Sequence, residues 1–157
     1  MKHAMILLMT AALASRLSAA EAPPAADPSA PVAQAIFAAS GVKAGLCLHL
    51  GCGRADSAGL TAALTEASGM PVHGLALDYA SLARARQAIL QRGLAGHAMA
   101  EKLTEKALPY LPNMARLVVA EDMAALTAAG ITKDEILRVV APGGTLCANE
   151  GGKWVAT

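Results

Sequence analysis

The residues best placed to do chemistry cluster in Cys47-Leu48-His49-Leu50-Gly51-Cys52-Gly53, an apolar run that ends in a glycine pair. A Gly-x-Gly turn between a strand and a helix lets a ligand approach the backbone with no Cβ in the way. The helix start behind it offers unpaired N–H groups. Asp78 closes the next apolar run, Val72–Leu77, at the position where a carboxylate accepts hydrogen bonds from ribose hydroxyls. Glu121 and Asp122 follow a third run, Leu117-Val118-Val119, and so fall at the sheet edge where open α/β proteins bind ligands.

The glycine turn carries only two of the three glycines of a dinucleotide fingerprint. Asp56 stands in the third place, where it would oppose a pyrophosphate. The loop therefore suits a nucleoside without phosphates better than NAD.

Each of these residues also has a plainer role. Asp78 and Ser81 both suit the cap of the following helix, and Glu121 and Asp122 suit a solvated acidic helix start. His49 and Cys47 share one strand face, but no orienting acid or further ligand lies near them in sequence, which favours a packed histidine and no metal site. Cys52 sits at a helix N-terminus, a place that lowers a thiol pKa, yet a small turn residue is the better account of it. Arg84, Arg86 and Arg92 read as a solvated helix face. Glu101 follows an uncertain strand and is a possible base contact. No residue stands out as a general base, so no catalytic residue is assigned.

The elements that must position these groups alternate. Val32–Ser40 predicts a helix and Gly45–Leu50 a strand. A helix capped by Asp56 or Ser57 runs to about Ala67, followed by the strand Val72–Leu77. Ser81 caps the next helix, which Gly93 ends, and a short strand is expected near Gly96–Ala100. Ala115–Ala120 has the continuous apolar character of a strand buried on both faces, and Met123–Ala128 looks helical. Thr132 and Glu135 form a capping box, and that helix runs through Val140 to break at Pro142-Gly143-Gly144. Thr145–Ala148 is the last expected strand. This order predicts a doubly wound, mostly parallel α/β sheet with helices on both faces.

The chain has 157 residues and a formal net charge of +1, with one Phe, one Trp and two Tyr. So few stacking surfaces and so little positive field argue against nucleic-acid binding. Lys2 and His3 precede an apolar stretch at Ala4–Ala14, and Ser18-Ala19-Ala20 supplies small residues for cleavage, so residues 1–20 predict an export signal. The Ala-, Pro- and Asp-rich residues 21–31 predict a disordered linker, and 32–157 a single domain. After cleavage no stable membrane insertion is expected. Cys47, Cys52 and Cys147 make an odd count without a Cys-x-x-Cys pair and read as small buried residues.

Three motifs in order resemble the class I S-adenosylmethionine-dependent methyltransferases, which have a Rossmann-like fold. They are Leu48-His49-Leu50-Gly51-Cys52-Gly53-Arg54-Ala55, Leu75-Ala76-Leu77-Asp78, and Ile136-Leu137-Arg138-Val139-Val140-Ala141-Pro142-Gly143-Gly144. The resemblance covers roughly Gly45 to Ala148. It implies S-adenosylmethionine as cofactor, a small-molecule ligand held by His49, Gly51, Cys52, Gly53, Asp78 and Glu121, and a sheet abbreviated at the C-terminus. His49 stands where the family usually has an acid, and Ala55 replaces the last glycine of its turn. Together with the export signal, His49 also resembles secreted methyltransferase-like domains joined to quinoprotein-type β-propellers. The alternative expectation is a non-catalytic, methyltransferase-shaped binding module of a secreted protein.

Overall fold

The computed structural model describes residues 28–157; the expected export signal and residues 21–27 of the expected linker lie outside them. The chain forms α1 (Ser29–Ser40), β1 (Cys47–Leu50), α2 (Leu60–Ser68), β2 (Val72–Ala76), α3 (Tyr79–Gln91) and β3 (Ala98–Lys102). Then follow β4 (Ala115–Ala120), α4 (Met123–Ala128), α5 (Lys133–Val139), β5 (Val140–Glu150) and β6 (Lys153–Ala156). The strands make one sheet in the order β3-β2-β1-β4-β5-β6, with β1 to β5 parallel and β6 antiparallel to β5. The doubly wound fold read from the alternation is the one observed. None of the helices of the described residues is long and apolar enough to cross a membrane.

Side chains alternate across the strands and build a core on each face. Leu48, Leu50, Leu75 and Val118 pack with Leu108, Leu126, Ile131 and Ile136 on one side. On the other, Cys47, Val72, Leu117, Val119 and Cys147 meet α1 and α2, while Ala76, Ala98 and Ala100 meet Leu82, Ala85 and Ile89 of α3.

Several elements differ from the sequence expectation for identifiable reasons. α1 begins at Ser29, so residues 29–31, read as linker, are helical. α2 begins only at Leu60, and neither Asp56 nor Ser57 caps it; its N-cap is Gly59, because residues 55–59 form a turn. Asp78, not Ser81, caps α3, accepting from the Ser81 N–H at 2.8 Å. The expected strand at Gly96–Ala100 lies two residues later.

The Pro142-Gly143-Gly144 segment does not separate helix from strand. It is an irregularity inside β5: Ala115 pairs with Val140 but Leu117 with Thr145, so the extra residues bulge out. Proline is tolerated there because a bulge needs no ladder N–H. Arg116 holds the bulge by donating to the Pro142 carbonyl at 2.8 Å.

Strand β6 has no counterpart in the sequence expectation. Glu150 pairs with Lys153, so Gly151 and Gly152 form a two-residue hairpin loop with φ of 61° and 90°. Two successive positive φ angles are the signature of the type I′ turn, and a Gly-Gly pair followed by Lys-Trp-Val was the signal for it.

The β3–β4 connection, residues 103–114, carries no helix. It is strapped down from α5. Arg138 donates to the carbonyls of Tyr110 at 2.9 Å and Leu108 at 3.2 Å, while Glu135 accepts from the Leu108 N–H at 2.7 Å. Arg138 and Glu135 are themselves joined by two 2.7 Å hydrogen bonds. The arginine beside it lowers the Glu135 pKa to about 2.

Candidate functional site

Strand order reverses between β1 and β4, and a crevice opens at their carboxyl ends. A cavity of about 200 Å³ lies there, lined by Gly51, Arg54, Leu77, Asp78, Ser81 and Asp122. The first turn after β1, the residue after β2 and the residue capping α4 after β4 therefore face one another.

The two glycines of the turn do different work. Gly51 has φ of 79°, and a Cβ built on it would meet no atom within 4 Å. Its backbone is open on the side a ligand would approach. Gly53 has φ of 78°, and a Cβ there would collide with the Ser81 carbonyl. Gly53 is required so that the turn can lie against the start of α3. The contact is pinned by Arg84, whose Nε donates to the Gly53 carbonyl at 2.9 Å and whose Nη2 donates to Ser81 Oγ at 3.0 Å. Arg86 donates to the Ala100 carbonyl at 3.0 Å, and Arg92 pairs with Glu66 at 3.0 Å. Arg84 and Arg86 of α3 and Arg92 just after it, read as a solvated face, are thus ties to neighbouring elements.

Asp78 is both cap and cavity wall. Its Oδ1 accepts from the Ser81 N–H at 2.8 Å and its Oδ2 from Ser81 Oγ at 2.7 Å. These bonds, the backbone one foremost, hold its carboxyl below the usual carboxylate range. A carboxylate has about four acceptor positions. Capping uses one on each oxygen, which leaves both oxygens able to accept from a ligand's vicinal hydroxyls.

His49 lies beneath the turn and is fully buried. Its Nε2 is 2.7 Å from Glu121 Oε1 and its Nδ1 is 2.8 Å from Thr61 Oγ1. Glu121 also accepts from the Ser57 hydroxyl. A carboxylate can only accept, so Nε2 carries the donated proton, and a neutral ring then accepts from Thr61 at Nδ1. The acid that orients His49 was missed because it sits 72 residues away, brought alongside by the parallel pairing of β1 and β4. Register was the available signal: His49 lies one residue before the end of β1 and Glu121 one residue beyond β4. Glu121 is therefore no solvated helix start. That place belongs to Asp122, which caps α4 by accepting from the Ala125 N–H at 2.9 Å.

Cys52 turns its side chain into the core, where it packs over Gly74; a Cβ on Gly74 would lie 2.8 Å from the Cys52 sulfur. Burial pushes its thiol up to about 12, which outweighs any pull from the helix start. Cys47 and Cys147 are likewise buried and free, with thiols raised by burial. Glu101, the possible base contact, lies in β3 outside the cavity, 3.6 Å from His73 Nε2.

Of the six expected site residues, Gly51 and Asp78 line the cavity, Gly53 supports the turn, and His49, Glu121 and Cys52 lie behind it. Arg54 and Asp122, both on the cavity wall, were not among them. Arg54 donates to Asp122 Oδ2 at 2.9 Å and to Asp56 Oδ1 at 3.3 Å.

No protein-family model matches the sequence, and neither does any curated protein. Solved structures do match. One is a candidate S-adenosyl-L-methionine-dependent methyltransferase from Methanococcus maripaludis, at 24% identity and a TM-score of 0.67, over 80% of this chain and 57% of that one. Another is the cyclase SpnF, at 21% identity and a TM-score of 0.65, over 78% and 47%. A third is geranyl diphosphate C-methyltransferase from Streptomyces coelicolor A3(2), solved with S-adenosyl-L-homocysteine, at 16% identity and a TM-score of 0.61, over 75% and 44%. The chain spans about half the length of these structures. What it shares with them is the fold: residues 28–157 adopt the Rossmann-like architecture of S-adenosylmethionine-dependent methyltransferases.

Proposed function

We propose that this chain is a methyltransferase-like protein that binds S-adenosylmethionine in the cavity at the carboxyl ends of β1, β2 and β4. The observation that carries the reading is the pairing of an open glycine, Gly51, with an ionised carboxylate, Asp78, across that cavity. Asp78 would take the ribose hydroxyls, and the Gly51 backbone would let the sulfur-bearing part of the ligand pass close. His49 and Glu121 would act behind the turn, fixing its position. When bound, the cofactor supplies an electrophilic methyl group, so the protein's share of catalysis is to align the acceptor with it.

The cavity is smaller than the roughly 300–1,000 Å³ of sites that enclose a drug-sized ligand. Part of the cofactor would therefore lie on the open sheet edge, where the acceptor also has to dock. The acceptor's chemistry belongs to whatever covers that edge.

Calorimetry of the full chain with S-adenosylmethionine and S-adenosylhomocysteine tests the reading. Wild type should bind, Asp78→Ala should not, and Asp78→Ser should keep the α3 cap while losing affinity. Absence of binding below millimolar concentration would sink it.

A second reading, a binding module without catalysis, is favoured by one observation: the hydrogen bonds that cap α3 and α4 hold both carboxylates of the cavity wall, Asp78 and Asp122, below the usual carboxylate range, which makes them weak bases. Transfer of a labelled methyl group to any component of a cell-envelope extract would exclude it. The expected export signal also belongs to this proposal, since an exported transferase leaves the compartment that makes its co-substrate. Fusing residues 1–31 to a reporter active only outside the cytoplasm tests it. Kinship with secreted domains joined to quinoprotein-type propellers is a narrower form of the same reading.

A further inference from the structure

Away from the cavity, β2 carries a histidine with one ring nitrogen unused. His73 lies on the face of β2 opposite Val72, and Tyr110 of the β3–β4 connection meets it edge-on with ring centroids 5.7 Å apart. Its Nδ1 is 2.8 Å from the Tyr110 hydroxyl. Its Nε2 is buried and makes no hydrogen bond, although Glu101 Oε2 lies 3.6 Å away. Strand register brings the two together: His73 pairs with Met99, and Glu101 stands two residues further along β3 on the same face. Neither tautomer of a neutral ring satisfies Nε2. With the proton on Nε2, the carboxylate is too far for a hydrogen bond. With the proton on Nδ1, that nitrogen donates to the Tyr110 oxygen and Nε2 turns a lone pair toward an anion. This second arrangement is the one a metal ion uses: a lone pair and a negative oxygen facing one point, with the other ring nitrogen tied by a hydrogen bond.

We propose that His73 Nε2 and Glu101 hold a divalent transition ion of the zinc type, which bridges β2 and β3. Metal–ligand bonds of about 2.0–2.2 Å span the 3.6 Å gap with an angle of about 120° at the ion, near the tetrahedral value that zinc takes. Among the described residues no group of three or more histidine, cysteine or acidic side chains could hold a metal, so water completes the coordination here. More than half of the Glu101 side chain is exposed, which gives the ion and its water a way in. An imidazole beside a carboxylate favours Zn²⁺, Ni²⁺ or Cu²⁺ over Mg²⁺ and Ca²⁺, which are held by oxygen ligands. Tyr110 is a positioning residue, since its oxygen fixes the tautomer that leaves Nε2 free for the ion. Through Tyr110 the ion also fastens the β3–β4 connection, which Arg138 and Glu135 already tie from α5. None of His73, Glu101 and Tyr110 lines the cavity, so this site stands or falls independently of the cofactor reading.

The test is titration of the full chain, first stripped of metal by a chelator, with Zn²⁺ alone, followed by calorimetry and thermal melts. Wild type should bind one equivalent and melt at a higher temperature, and Mg²⁺ should do neither. Glu101→Gln changes an exposed side chain, so it should fold as wild type does and bind Zn²⁺ at least about tenfold more weakly. Tyr110→Phe should weaken Zn²⁺ by about tenfold or more. With Cu²⁺ as probe, electron paramagnetic resonance should show nitrogen coupling in wild type and in Tyr110→Phe, and lose it in His73→Gln. Wild type that Zn²⁺ neither binds nor stabilises would overturn the proposal, leaving an ordinary histidine–carboxylate contact. So would a Glu101→Gln variant that binds Zn²⁺ as tightly as wild type, because the ion would then sit elsewhere. Should His73→Gln fail to fold, the Glu101→Gln comparison still decides.

Discussion

Replacing Glu121 by alanine removes the acceptor from two donors at once, the buried His49 Nε2 and the half-buried Ser57 hydroxyl. The Glu121 side chain is 7% exposed and His49 fully buried, so water cannot replace the lost partner without opening the site. The orphaned His49 donor costs on the order of 1–3 kcal/mol, while the half-buried Ser57 hydroxyl can turn to water. For a domain of this size that lowers Tm by roughly 3–15 °C. The informative experiment is a double-mutant cycle in urea, read as midpoint shifts at constant slope. Glu121→Leu and His49→Leu should each destabilise. The double variant Glu121→Leu/His49→Leu, which leaves no polar group unpaired in the pair, should recover at least about 1.5 kcal/mol of the summed losses. Additive losses would refute the argument, because they would show that the two side chains stabilise the turn independently. So would a loss below about 1 kcal/mol for Glu121→Ala.

Other consequences are tested more simply. Gly53→Ala should destabilise by about 2 kcal/mol or more, since it combines a positive φ with the collision at Ser81, whereas Gly51→Ala should cost about 1 kcal/mol and chiefly reduce ligand affinity. Thermal melts beside calorimetry separate the two. Glu135 has a pKa depressed by Arg138, so its contribution is complete above the ordinary value of 4.5 and is lost as pH falls toward about 2. Acid titration of Glu135→Gln should therefore flatten that limb of the stability curve, and an unchanged limb would contradict the assignment. The three thiols should resist a thiol reagent at pH 8 in the folded protein and react together once urea unfolds it. Early reaction of Cys52 alone would show that the turn opens.

Much of this arrangement was legible in the sequence because its signals are local. A strand, a glycine turn and an acid closing the next strand fix the parallel architecture, and Asp78 and Gly51 fall on the cavity as their positions imply. What stayed hidden depends on pairing between distant strands. Glu121 reads as a helix start until β4 is laid beside β1, at which point it meets His49. Arg54 looks like an ordinary loop charge until Asp122 arrives opposite. The third motif failed differently. Pro142-Gly143-Gly144 marks an interruption, but local propensity does not say whether it parts two elements or buckles one, and the pairing of β4 decides for the latter. The Gly151–Gly152 hairpin was local and readable, and was obscured by the expectation of an abbreviated sheet.

The Arg86 tie to the Ala100 carbonyl has a consequence beyond the monomer. Strand β3 is one of the two borders of the sheet, with β2 on one side only. A strand left this way offers backbone groups to any extended chain that drifts past, and association of that kind grows with concentration. Here the Ala100 carbonyl is taken by Arg86 and the Ala98 N–H by the Leu94 carbonyl, both at about 3 Å. Arg86 thus works as a stopper against self-association: Arg86→Ala should leave the single molecule folded yet make its solutions cloud at concentrations the wild type tolerates.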